Sequence, residues 1–351
     1  MKFKNQILYF VAVLSVALMT FSCTNDDNKD VVKLPSIVDI AKADPANFSI
    51  LVDALNKTGL ATTLSNPGSY TVFAPTNAAF TAAGVTSASI IALDPVVNAQ
   101  QIADLKLSLQ NHIIGVGTRS ADLVATASFK TFGYYRNNPL AFTGANLNMT
   151  ISKTGTDILI NAGETNGGAK ITSVDIEASN GIVHVINSVL KLPTIVNQII
   201  STPSLSSLLG VVSSPAQASV LAILTNATFT STGAVTVYAP NNDAFTTALG
   251  TGGYLVGKTD AEITNILKYH LQTGNNTASS ATSYTSSTAF ADVKVNTLFS
   301  TPAPAKTFTI TKGTVKITDL VTPVVNGNIK VINIQGTNGV IQIIDKVLQP
   351  M

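Results

Sequence analysis

TVFAPTNAAF (residues 71–80) and NGIVHVINSVL (180–190) return in the same chain as TVYAPNNDAF (236–245) and NGVIQIIDKVL (338–348). A third pair, LQNHII around His112 and LKYHLQ around His270, lies between them, and each histidine stands 69 residues before the glycine of its Asn-Gly pair, Gly181 or Gly339. A constant interval over that length predicts one folded unit built twice. Upstream the intervals differ: Phe80 to His112 is 32 residues and Phe245 to His270 is 25, so the first copy carries seven extra residues around 87–101. An insertion of that kind belongs in a surface loop.

The strand ending in Ala-Pro-Thr/Asn-Asn, the helix with histidine near its end, and the closing Asn-Gly strand resemble the fasciclin domain family, over about residues 36–350. The resemblance implies an α+β fold in two tandem domains, each a β-sandwich or wedge with N-terminal helices. It also implies adhesion or recognition outside the cell rather than catalysis. The expected division is a signal peptide at 1–22, a lipidated cysteine and polar linker at 23–34, and domains at 35–193 and 194–351.

Lys2 and Lys4 precede the apolar run ILYFVAVLSVALMTF (7–21), which ends at Ser22 and the single cysteine, Cys23. Fifteen apolar residues fall short of the roughly 20 that span a bilayer as a helix, so a secretory signal is expected. A small residue before Cys23 resembles a bacterial lipoprotein cleavage site, which makes Cys23 the lipidation residue. Asp26 and Asp27 then resemble the surface-export signals of Bacteroidota lipoproteins. A cell-envelope protein, anchored in the outer membrane by lipid, is the resulting expectation.

Lys plus Arg is 21 and Asp plus Glu is 19, with no basic run beyond the first residues, so nucleic acid is not an expected partner. Charged residues are 11% of the chain, against about 25% in average domains, and hydroxyl side chains supply most of the polarity. Such a surface suits contacts with extracellular polysaccharide or with matrix and surface proteins, without long-range steering.

Within each copy, helices precede a meander of strands. Ile37, Ile40 and Ala41, then Phe48, Leu51, Val52 and Leu55, keep helical spacing, and Gly59 reads as a stop. Asn77 and Asn242 are placed to cap the helices anchored by Phe80 and Phe245. Short β-type runs follow from about Phe129, and residues 191–194 form a joint with little slack, which predicts a fixed orientation of the two copies. His112 shares a helical face with Ile102, Leu105 and Leu109, and His270 with Ile263, Ile266 and Leu267, so both are expected to be buried structural residues.

No hydrolase, zinc-protease, redox-cysteine or phosphate-loop signature occurs. The third histidine, His184, has Gln342 as its counterpart, which excludes a catalytic or metal role common to both halves. No cofactor and no metal are expected. Two features are candidate binding sites. Asp175-Ile176 stands where the family resemblance implies an adhesive Asp-Ile pair, with Asn333-Ile334 as its counterpart. FKTFGYYRNNPLAF (129–142) gathers five of the chain's 22 aromatic residues beside Lys130 and Arg136, and points to Tyr134, Tyr135 and Arg136 as recognition residues. Adhesion is the leading function. The rivals are an accessory subunit of an envelope or glycan-capture complex gripping a protein partner, and, more remotely, a glycan hydrolase using Glu164, Asp157 or His184.

Overall fold

The computed structural model describes residues 34–126, 128–134, 145–226, 234–274, 293–299, 304–311, 316–319 and 326–350. The expected signal peptide, Cys23, most of the expected polar linker, Tyr135 and Arg136 lie outside the described residues. From Pro35 onward the chain forms one compact unit.

The first half opens with helices Ile37–Ala43, Pro45–Thr58 and Leu60–Ser65. Ser36 and Asp39 form a capping box at the first, Asp44 caps the second with proline in its first turn, and Gly59 ends it at φ +73°. Each device satisfies backbone groups that a helix end leaves open. Seven strands follow: β1 (Tyr70–Pro75), β2 (Ile113–Ile114), β3 (Ser128–Tyr134), β4 (Asn146–Thr154), β5 (Asp157–Ile160), β6 (Ala169–Ala178) and β7 (Gly181–Ile186). They close into a barrel, with β1 parallel to β7 and antiparallel to β2. The second half repeats the order with β8 (Val235–Pro240), β9 (Leu271–Thr273), β10 (Val293–Asn296), β11 (Thr307–Ile310), β12 (Lys316–Thr318), β13 (Gly327–Gly336) and β14 (Gly339–Ile344). Here the described strands make a seven-stranded sheet in which β14 lies parallel to β8.

Each half owns a core in two parts. In the first, Phe48, Leu51, Leu55, Phe80 and Val183 pack the helices onto β1 and β7, while Phe73, Met149, Ile151 and Ile186 fill the barrel side. In the second, Leu208, Val237, Phe245 and Ile341 correspond to the former set, and Tyr238, Phe308, Ile329 and Ile344 to the latter. Burial of each such side chain contributes about 1.5–3 kcal/mol. With no cysteine beyond Cys23, packing replaces disulfides in both cores.

The duplication extends to single hydrogen bonds between corresponding residues, 158 or 160 positions apart. Asn180 Oδ1 accepts from Ile37 N and its amide donates to the carbonyls of Leu64 and Asn66; Asn338 Oδ1 accepts from Ile195 N and its amide donates to those of Leu224 and Asn226. These two asparagines tie the opening helices to the closing strand, a use that the reading of Asn-Gly as a turn signal misses. Asn77 and Asn242 also differ from expectation. The caps are Thr76 and Asn241, one residue earlier. Asn77 instead clamps the Pro45–Thr58 helix, accepting from Ile50 N and donating to the carbonyls of Pro45 and Ala46, and Asn242 likewise accepts from Ser207 N and donates to Pro203 O. A side-chain amide carries both a donor and an acceptor and can bridge such a pair, which a cap does not require.

The seven extra residues of the first copy are largely exposed, but part of the region is helical and anchored by the buried Ile90. They fall in the short helix Ser87–Ile91 and the turn after it, where Asp94 accepts from the N–H groups of Val96 and Val97.

Candidate recognition surface

The three histidines are structural. His112 and His270 are buried, and in each the Nδ1–H donates to the carbonyl four residues earlier, Ser108 or Ile266, at 2.8 Å. Nε2 accepts the backbone N–H of Leu190 at 2.9 Å, or of Leu348 at 2.8 Å. That pairing requires the neutral ring, because a second ring proton would face another donor. Burial accordingly pushes both pKa values down to about 4, opposed only in part by the carbonyl hydrogen bond. Tyr269, the neighbour of His270, is also buried and donates to Thr307 O; Asn111 in its place accepts from Thr131 and donates to Lys191 O.

His184 is fully buried on β7, stacked on Phe73, and its Nε2–H donates to Thr118 O. Its Nδ1 accepts from Asp175 N at 3.2 Å, and the counterpart Gln342 accepts from Asn333 N at 3.0 Å. Histidine and glutamine thus play the same part. Each holds a bulge in the neighbouring strand, where Asp175 (φ +58°) and Asn333 (φ +59°) adopt the left-handed conformation. Asp and Asn tolerate that region better than most residues.

Asp175 lies in this bulge of β6, half-buried, and its carboxylate is engaged. Oδ1 accepts from Ser120 N at 2.7 Å and Oδ2 from Ser120 Oγ at 2.6 Å, at the start of the Ser120–Thr126 helix. Burial raises its pKa, but the Ser120 hydrogen bonds, with His184 and Arg119 nearby, outweigh that and hold it below the usual carboxylate range. Ile176 packs against the core of the first half. The exposed groups here are instead Val174, 43% exposed, and the Arg119–Glu177 ion pair.

Tyr134 is buried, at 8% exposure, and is therefore not a surface ring. A register shift between Lys130 and Tyr134 breaks the alternation of β3, so that Gly133 and Tyr134 both face inward. Tyr134→Ser is expected to destabilise the first half by about 3 kcal/mol, the scale of removing a buried ring. Unchanged urea unfolding would place the ring at the surface after all.

The residues assembled at the junction of the two halves were not singled out by motif. Asn148 Oδ1 accepts from Gln335 N at 2.8 Å and from Lys130 Nζ at 2.6 Å, and Lys130 also reaches Asn333 O at 2.6 Å. Gln198, fully buried, donates to the carbonyls of Asn148 and Gln335. Asn166 and Asn197 exchange amide hydrogen bonds beside them. Lys130 keeps much of its stem in water, while burial of the ammonium among these oxygens pushes its pKa down to about 8. The available signal was Gln198 between Val196 and Ile199, a polar residue in an apolar helix.

The residues of the hydrolase alternative are not brought together. Asp157 pairs with Lys170, Glu164 accepts from Asn187, and His184 is enclosed. Among the described residues no group of three His, Cys, Asp or Glu side chains is placed to hold a metal ion.

The fasciclin domain model matches residues 46–193 and again 212–350. The chain belongs to the fasciclin domain family. A stretch of 158 residues, 45% of this chain, is 30% identical to transforming growth factor-beta-induced protein ig-h3 of Sus scrofa and covers 19% of that one. A stretch of 159 residues is 33% identical to an uncharacterized Synechocystis protein, covering 45% of this chain and 99% of that one. The chain thus spans about a fifth of ig-h3 but nearly all of the Synechocystis protein. A FAS1 domain pair from the insect cell adhesion molecule fasciclin I is similar at a TM-score of 0.47 and 16% identity, over 88% of this chain and 94% of that one. Neither the family model nor the ig-h3 match indicates a catalytic family.

Proposed function

We propose that this chain is a non-catalytic adhesion protein of the cell surface, in which two fasciclin modules hold extracellular polysaccharide or a matrix or surface protein. The observation that carries the reading is the use of the ionisable groups inside the modules. His112 and His270 at matching positions, and His184 and Asp175 in the first half, are all consumed in holding the fold, which leaves the surface for recognition. A secretory signal and a lipid on Cys23 would tether the modules to the envelope, with the polar residues after it as spacer; two or more acyl chains suffice for stable anchoring.

Deleting the gene and measuring attachment and biofilm tests the reading, alongside binding of the soluble chain from Thr24 to an array of glycans and matrix proteins. Reduced attachment with selective array binding is expected. Normal attachment on every surface, together with one stoichiometric envelope partner in crosslinked cells, would replace adhesion by the accessory-subunit alternative.

A further inference from the structure

The second half receives the first along a strand edge. β13 pairs with β12 only at Gly327 and Asn328, so among the described residues no strand pairs with the outer side of its later residues. Three outward backbone groups there are satisfied by side chains: Asn333 C=O by Lys130, Gln335 N–H by Asn148, and Gln335 C=O by Gln198. Two of the three caps come from the first half.

The same edge exists on the first half. β6 pairs with β5 only at Ala169 and Lys170, and the register of β6 on β7 matches that of β13 on β14, with Glu177 opposite Ile182 as Gln335 is opposite Val340. Glu177 therefore turns its N–H and C=O outward, where neither meets a partner among the described residues. The helical position that supplies Gln198 in the second half is Ile40 in the first, which has no donor. At three further amide positions the first half has an acid, Asp39 for Asn197, Asp175 for Asn333 and Glu177 for Gln335, of which Asp175 already spends its carboxylate on Ser120. Asp39 and Glu177 are exposed, and Asp122 adds a further carboxylate near Arg119. Val174 is an exposed apolar side chain at the position of the equally exposed Ile332 in the second half.

We propose that the outer edge of β6 at Asp175–Glu177 is a docking site for a strand of a partner protein that brings a lysine or arginine to the Asp175 carbonyl. The occupant follows from the interface already built in this chain, where a lysine ammonium and an amide cap the equivalent groups. Strand addition supplies main-chain hydrogen bonds and the acidic border selects a basic partner. The Arg119–Glu177 pair does not close the site, since an ion pair this exposed is worth little and yields to a competing cation. This deepens the adhesion reading by naming a partner class, and the two fail separately, since the attachment assay does not depend on which edge is used.

The test uses the soluble chain from Thr24, isotope-labelled, and two short synthetic peptides, one alternating lysine with valine and one alternating glutamate with valine. In the free protein the Glu177 amide should exchange at least about tenfold faster than that of Gln335, which is capped within the chain. The lysine peptide should shift and protect Glu177 and its neighbours, the glutamate peptide should not, and Glu177→Lys should weaken binding about tenfold with unchanged melting. Equal protection of Glu177 and Gln335 in the free chain would overturn the proposal, as would equal effects of the two peptides or no response at Glu177.

Discussion

Gly339→Ala should abolish folding of the second half. At φ +149° the residue lies where side chains are rarely accommodated, and an added Cβ would stand 1.9 Å from the carbonyl oxygen of Val235 and 2.8 Å from Ile195 Cδ1. The obstruction is backbone of the paired strand, so it cannot swing aside. Gly339 begins the parallel pairing of β14 with β8, and Val235 N donates to Asn338 O at 3.1 Å beside it. The substitution must separate the central strands or leave their groups unpaired, at a cost of about 4–5 kcal/mol or more. Gly252→Ala is the control, since at φ +73° that glycine has nothing within 4 Å and should lose only about 1–2 kcal/mol of backbone conformation. Urea unfolding separates the cases, and equal losses in the two variants would refute the steric argument.

Acidification should weaken both halves well before the carboxylates titrate. In the unfolded chain His112 and His270 take up a proton near pH 6.5; in the folded chain they resist until about pH 4. The unfolded state therefore binds more protons throughout that interval. The stability held above pH 6.5 is lost progressively as pH falls towards 4, by about 3 kcal/mol for each histidine. Protonation at Nε2 would set a ring N–H against the N–H of Leu190 or Leu348, which explains why the fold resists it. Denaturant unfolding at pH 7.5 and 4.5 measures the loss, and imidazole resonances report the protonation state. Level stability over that range, or rings titrating near pH 6.5 in the folded protein, would contradict the assignment.

Much of this architecture was legible because it is periodic or repeated. The spacing of Phe48, Leu51 and Leu55 follows from helix geometry alone, and the interval from His112 to Gly181 repeats because both residues must reach the same closing strand. The candidate sites were less legible. Tyr134 reads as a recognition ring by composition, yet a bulge in β3 turns it inward. Asp175 reads as a binding residue through the family resemblance, yet it caps the Ser120–Thr126 helix, a contact across 55 residues. Bulges and contacts of that range leave no local pattern.

From the residues alone came the duplication, the helix-then-strand order, the family resemblance and the burial of His112 and His270, because these rest on spacing within short segments. Tertiary structure alone decided that His184 and Gln342 hold equivalent bulges, that Asn180 and Asn338 tie helices to strands, and that Lys130 and Asn148 cap β13 while the matching groups of Glu177 on β6 meet no partner among the described residues. Those facts depend on which backbone groups remain unpaired once strands have met, and pairing is a property of the assembled sheet rather than of any stretch of chain.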